Sequence, residues 1–548
     1  MQKMVYLRQS LAGCLKITVL IPLAQLTFSP LNSCLAQSQS DVYRPVLSQA
    51  ELGYWGSSTP ETPFWFQTNQ YGTVPTQSAT GWLRAATTIG YRSDSATARR
   101  PRTDWGGGLE LIGQVGRQQQ VLLTEAYLKG KLGVFELFAG RRKQVLGLAE
   151  SPLSMGSFSW SRNAQPMPRV QISIPVFTPL GFTRQFVALK AYFSHGWFGQ
   201  QTYVKGSFLH QKGIAIRLGK PTARFHVIGA FDHQVQWSGY APFLETDPTA
   251  AFHGQLATSW EAFYNVVVPA KTDALKNLSK FTTYDQNRVG DHRGTAELAI
   301  ALNLPATTVT FYQQHFYDIG RKLYNFRNIE DGLYGLRLMS KKRYARVQDA
   351  VVEVFNTQSQ GYIHFGRTLG GEPENYYING QYPDGWSYRG RTIGNPFISQ
   401  TASTNPALGG QPFYGDKADG TRINGVFGIN NNRLLAFNGA IMGYLPTQSR
   451  NGLVRYWQYR LQASYSQNFG LFSRPFPGGI NQFSALASLS KPVRWLGGAD
   501  ISASVGYDAG QLLRYPDQAG YYIGLRKQWL TTMVTRSRTT PARPVRQS

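Results

Sequence analysis

Apolar and polar positions alternate along most of this chain with a period of two. In the stretch 498–529, Ala499, Ile501, Ala503, Val505 and Tyr507 fall on one side of an extended chain, opposite Asp500, Ser502, Ser504 and Asp508. After a turn at Pro516-Asp517 the chain returns with Tyr521, Ile523 and Leu525 on one face and Tyr522, Gly524, Arg526 and Gln528 on the other, closing at Trp529. One face suits lipid and the other water, as a strand of a membrane barrel requires.

The pattern recurs at 82–91, 109–116, 121–131, 134–142, 186–195 and 202–210. Its cleanest instance is 225–237, where Phe225, Val227, Gly229, Phe231, His233, Val235 and Trp237 share one face. Further runs lie at 296–304, 308–316, 333–339, 347–355, 423–430, 435–444, 456–465 and 483–489. Lengths near 10 residues suit tilted membrane strands. The spacing predicts an all-β fold: a transmembrane antiparallel β-barrel of about 18 strands over 80–530, with a small helical or loop plug. Two interruptions stand out. Residues 255–281 change to helical spacing at Trp260, Phe263, Tyr264 and Val267, with a capping box from Thr258 to Glu261, and this helix is expected to plug or cap one mouth. Residues 367–421, rich in Gly, Pro, Asn and Tyr, read as a long outer loop. The segment 37–79, with the knot Pro63-Phe64-Trp65-Phe66, shows no period and is expected to be an irregular lead-in that packs inside or beneath the barrel. The basic segment 531–548 reads as a disordered tail.

Composition narrows the picture. After the N-terminus no uninterrupted apolar run approaches the length of a membrane helix, which excludes a helical bundle in the membrane. Lys3, Arg8 and Lys16 precede an apolar run at 17–28, and Cys34-Leu35-Ala36 ends in a small residue, so 1–36 reads as a cleaved secretory signal peptide. Lipidation at Cys34 is the competing reading. Both cysteines of the chain lie in this leader, so the mature chain is expected to hold neither disulfide nor cysteine metal site. The net charge is +26, three of it in the leader. Such a field attracts polyanions: acidic polysaccharide, the phosphates of lipopolysaccharide, or nucleic acid, which export argues against.

No catalytic or metal constellation emerges. The eight histidines are scattered and none shows zinc-protease spacing, so no metal or cofactor is expected, and structural or solvent roles are expected for them. The basic residues say more. Arg141 and Arg142 close a strand and lead to Trp160, Arg162 and Arg169. Residues 376–391 interleave Tyr376, Tyr377, Tyr382, Trp386 and Tyr388 with Arg389 and Arg391. Guanidinium forks grip carboxylates and aromatic faces stack on sugar rings, so both stretches are candidate polysaccharide-binding sites. The same residue types also girdle barrels at the membrane interface.

Several strings together carry a resemblance: Pro63-Phe64-Trp65 with Asn69-Gln70-Tyr71-Gly72, then Ala139-Gly140-Arg141, and 161–168 as Ser-Arg-Asn-Ala-Gln-Pro-Met-Pro. Lys190-Ala191-Tyr192-Phe193-Ser194-His195-Gly196, His210-Gln211-Lys212 and His233-Gln234-Val235-Gln236-Trp237 follow. The last are Asn287 to Gly294, Asn375-Tyr376-Tyr377, and the run from Gly385 through Trp386 and Arg391 to Pro396. In this order the chain resembles the capsule-assembly Wzi family in its Bacteroidota form, departing from it at Trp237-Ser238-Gly239, where that form reads Trp-Gly-Gly. The resemblance implies an outer-membrane barrel of about eighteen strands, closed on the periplasmic side by helices and loops, that acts as a non-catalytic lectin for capsular polysaccharide. The expected function is therefore anchoring or organising an acidic capsular polysaccharide or exopolysaccharide without cofactor. The alternatives are a porin or polysaccharide export channel with a basic lumen, and a membrane hydrolase.

Overall fold

The computed structural model describes residues 42–94, 101–269, 281–286, 288–318, 325–364, 366–369, 371–448, 454–493 and 497–535. The segment 1–36, read as a signal peptide from the sequence, and the basic segment beyond Thr535 lie outside these residues. Eighteen long strands pair antiparallel, each with the next in sequence. They are β1 Val42–Ser57, β2 Thr80–Ile89, β3 Thr103–Gly116, β4 Gln120–Leu132, β5 Phe135–Arg141 and β6 Pro168–Pro179. Then come β7 Val187–Gln200, β8 Lys205–Leu218, β9 Phe225–Trp237, β10 Asp291–Asn303, β11 Thr307–Tyr317 and β12 Gly332–Ser340. The last six are β13 Asp349–Asn356, β14 Arg433–Gln448, β15 Val454–Gly470, β16 Pro475–Val493, β17 Ala499–Gly510 and β18 Asp517–Thr535. Pairing of β1 with β18, from Val42↔Thr535 to Ser57↔Gly520, closes the sheet, so the barrel has no edge.

The period-two faces fall as the sequence predicts. Ile501, Val505 and Tyr507 point outward and are exposed, while Asp508 is buried in the lumen. Tyr521 and Ile523 are exposed on the outside, and Tyr522 turns inward to donate to Glu51 at 2.9 Å. Leucine, isoleucine, valine and phenylalanine cover the outer wall in the same way, from Leu83 and Val121 to Leu128, Ile172 and Phe311. An exposed apolar wall of this extent belongs in a bilayer.

Two boundaries differ from the sequence reading. Val42–Ser57, taken there as part of an irregular lead-in, is the closing strand, and only 58–79, which includes a short helix at Phe64–Gln67, lies outside the barrel sheet. The last strand runs past Trp529 to Thr535, so the first residues assigned to the tail belong to the barrel.

Both ends of the described chain lie at one mouth. The connections on that side are short, whereas on the other side 58–79, 142–167, 238–290 and 357–432 are long. Short turns face the periplasm and long loops face outward in barrels of this type.

Candidate functional site

Three of the long connections turn inward and fill the barrel. The lumen wall meets them with buried carboxylates that accept their N–H and O–H groups. Asp508 takes the Phe64 N–H at 2.9 Å, at the start of the short helix α1, Phe64–Gln67. Asp232 takes the Ser159 hydroxyl (2.8 Å), and Glu297 takes the Leu148 N–H (2.6 Å). Asp349 takes the Ser151 hydroxyl (3.1 Å), which brings loop 142–167 down to the terminal end of β13. Glu353 binds the Ser154 hydroxyl and the Met155 N–H, each at 2.6 Å, and also Tyr312 and Asn438. Charge-assisted hydrogen bonds of this kind are about twice as strong as neutral ones. Apolar contacts fill the space between them: Trp65, Phe158, Tyr376, Tyr377 and Trp386 are almost wholly buried in one cluster. On the wall below the plug, a side chain at Gly520 would run into Pro63 and one at Gly506 would crowd Phe66 and Pro63, so glycine there lets the plug approach the strands.

The plug absorbs most of the candidate binding residues. Trp386 is fully buried and donates its indole N–H to Ser159 O (2.8 Å), with the Arg293 guanidinium stacked 4.6 Å from its ring. Arg293 is itself buried on the lumen face of β10, paired with Asp291 and lying 3.6 Å from Asp318. The Tyr376 hydroxyl donates to Asp331 (2.8 Å), which also receives the Ser359 and Gln360 N–H groups. Burial pushes the Asp331 carboxyl up to about 7 even against these donors. Tyr377 binds Phe158 O and accepts the Asn395 N–H, and Tyr388 is buried. Arg391 spans to Gln67 O (3.0 Å) and Val74 O (2.9 Å), tying two loops together. Arg169 is buried between Gln211 (3.1 Å) and the Trp160 ring (5.0 Å). Arg142 pairs with Glu136 at 2.5 Å, and Arg162 donates to Ser151 O at 2.7 Å. Arg141 is half-buried. Of the ten candidates only Arg389 is exposed, donating to Gln165 at 3.0 Å. The loop 367–421 is thus not a free outer surface: its aromatic stretch is the core of the plug, because these rings are more stable packed together than in water.

What does face outward at this mouth is a cap made from 238–256 and a hairpin of Pro412–Asp416 with Arg422–Val426. It leaves Tyr414 exposed with Arg422 5.1 Å from its ring. Sequence reasoning missed this pair, although an Arg and a Tyr across a two-stranded turn were readable.

The helix expected to plug a mouth is α2, Trp260–Val267, and it lies on the outer wall. Its cap is Ser259, which accepts the Ala262 N–H at 3.2 Å, one residue later than the predicted Thr258. Ala262 and Val266 face the barrel and pack with Val235, Trp237 and Phe208, residues that point to the lipid side of β8 and β9. Four histidines on consecutive strands, His195, His210, His233 and His292, share that outward side beneath or beside the helix. His195 and His210 are register partners, His210 and His233 ring centres lie 6.5 Å apart, and His233 Nε2 is 2.9 Å from His292 Nδ1. Phe263 packs on His195 and His210, and Lys212 donates to Val267 O at the helix end. The helix therefore hides imidazoles that would otherwise meet lipid. Among the described residues no cluster of three or more potential ligands is placed to hold a metal ion.

No protein-family profile matches the chain, and no curated protein matches it. Among solved structures it is similar to Wzi of Escherichia coli, an outer-membrane protein involved in group 1 capsule assembly and described as a carbohydrate-binding β-barrel. The identity is 12%, the match covers 87% of this chain and 84% of that one, and the TM-score is 0.50. OccAB2 of Acinetobacter baumannii matches at 10% identity over 89% and 98% of the two chains, with a TM-score of 0.40. OpdQ of Pseudomonas aeruginosa matches at 6% identity over 89% and 99%, with a TM-score of 0.42. The closed ring of eighteen strands, its apolar outer wall and the likeness to Wzi together make this chain a β-barrel of the outer-membrane type.

Proposed function

We infer that this protein sits in the bacterial outer membrane and binds acidic capsular polysaccharide or exopolysaccharide there, anchoring or organising it without catalysis. The observation that carries this reading is the filled lumen: rings such as Trp65, Tyr376 and Trp386 occupy the space through which an open channel would conduct. The likeness to a carbohydrate-binding barrel supports the same choice of ligand. Lipid and lipopolysaccharide are its other partners, and nucleic acid is not among them. Many weak contacts along a repeating polymer add up through effective concentration. Cations at both mouths would make that binding sensitive to salt. The test is binding of detergent-purified protein to surface polysaccharide from its own host, across a salt series, with Arg389→Ala and Tyr414→Ala/Arg422→Ala alongside. Binding that weakens with salt and in these variants is the expected result. Absence of binding at low salt sinks the reading and turns attention to conductance, since a channel with a basic lumen is the other role such a barrel fills.

A further inference from the structure

The basic surplus is concentrated where the long loops are not. Among the described residues, the short connections on the terminal side carry nine Lys or Arg against one acid, Asp94. Four of the nine, Lys341, Lys342, Arg343 and Arg346, fall in the single turn between β12 and β13, and all four are exposed. Between Arg343 and Arg346 the chain places Tyr344 at a positive φ of 57°. The left-handed region crowds an aromatic side chain against its own backbone. Backbone strain of this kind concentrates at ligand sites. Here it holds the Tyr344 ring against the lumen wall, stacked on Tyr456 at 4.5 Å and 10°, with Tyr444 edge-on at 5.1 Å. These rings border an open cavity of about 390 Å³, whose other walls include Gln458, Asp500 and Arg455. Asp500 is oriented by Arg526 at 3.1 Å, and Arg343 lies 5.0 Å from the Tyr344 ring.

We propose that this cavity is a saccharide subsite at the terminal mouth, taking one acidic sugar unit of a chain that arrives from the periplasmic side. The proposal rests on the polysaccharide reading above and adds a second point of contact to it. Each wall has a matching part on such a ligand. The tyrosine faces suit the C–H face of a pyranose, and Gln458 and Asp500 suit its hydroxyls. Arg455 in the wall, with Arg343 beside the Tyr344 ring, suits its carboxylate. The volume falls within the range of small-molecule pockets, about 300–1,000 Å³. The plug lies between this cavity and the outer loops, so it is reached from the terminal side.

The test uses the full chain in detergent and two probes: a defined oligogalacturonate and the host's surface polysaccharide. Tyr456→Ala and Tyr344→Ala are compared with Tyr344→Phe, which keeps the ring, and the heat-modifiable gel shift checks that each barrel is folded. The alanine variants are expected to bind oligogalacturonate at least about tenfold more weakly while Tyr344→Phe stays near wild type, and a neutral oligosaccharide should bind poorly throughout. If wild type binds the host polysaccharide but the alanine variants bind oligogalacturonate as wild type does, the subsite is wrong and the wider reading stands. If wild type binds neither probe, both fall. Competition of the oligogalacturonate signal by phosphatidylglycerol vesicles, with no loss in the tyrosine variants, would assign this rim to lipid headgroups and overturn the subsite.

Discussion

At the scale of single residues, buried charges do the holding and their loss is costly. Arg293 is sealed between Asp291, Asp318 and the Trp386 ring. Arg293→Ala leaves two buried carboxylates facing no cation, which should cost about 3–5 kcal/mol. Limited proteolysis of the 357–432 connection reads the result as faster cleavage in a barrel that still shows its heat-modifiable shift. Trp386→Ala acts on the same core and should cost a comparable amount through its cavity. It is therefore a test of the plug, whereas Arg389→Ala probes the surface. Asp331 gives the plug a pH dependence. Its folded pKa, raised to about 7, exceeds that of a free carboxyl, so the folded state holds the extra proton. That contribution is complete below about pH 4 and is lost as pH rises through 7. The urea midpoint should fall between pH 5 and pH 8, and Asp331→Asn should flatten that part of the slope. If the variant keeps the full slope, the dependence belongs to another group. Ser238 sits at φ 60°, in the left-handed region that favours glycine.

At the scale of elements, the outer helix makes the clearest prediction. Ala262 and Val266 are the buried side of α2, so Val266→Asp places a carboxylate against Trp237 and Val235 and should detach the helix without opening the barrel. The expected outcome is new protease cleavage within 255–269 and a changed Trp237 emission, with the gel shift retained. Strands were legible in the sequence wherever the two faces meet different solvents, as in β17 and β18. Legibility failed in β1, where Trp55 turns inward to meet the Phe66 ring at 5.2 Å on the same face as Gln49 and Glu51, so that face mixes a large ring with polar groups. The helix was legible by its period, but its side of the wall was not read. The signal was present: His233 shares a face with Phe225 and Phe231, and an imidazole on a lipid face needs a cover. The candidate binding residues were found as a chemical class and misplaced in depth, because Arg and aromatic rings build a plug as readily as they bind a sugar.

At the scale of the whole molecule, the acids on the lumen wall and the loops they hold turn a barrel wide enough for a channel into a closed one. Loop 142–167 is held at four points on the wall: Leu148 reaches Glu297, Ser151 reaches Asp349, Ser154 and Met155 share Glu353, and Ser159 reaches Asp232. Replacing residues 147–160 with a short Gly-Ser linker removes these anchors together with Phe158 from the aromatic core, and leaves every barrel strand intact. In planar bilayers the wild-type protein should then show little conductance, and the linker variant at least about tenfold more, because ion flow depends on an unobstructed wet path. Equal, large conductance in both would mean that the plug yields in the membrane, and would favour a channel over a surface anchor. Low conductance in both would place the seal in the outer cap, where Phe243 and Phe413 pack 5.1 Å apart over the same mouth. The basic turns on the terminal side give the experiment a further readout. Once the pore is open, reversing the sign at Lys341, Lys342 and Arg343 should shift its ion preference toward cations, because these charges stand at its mouth.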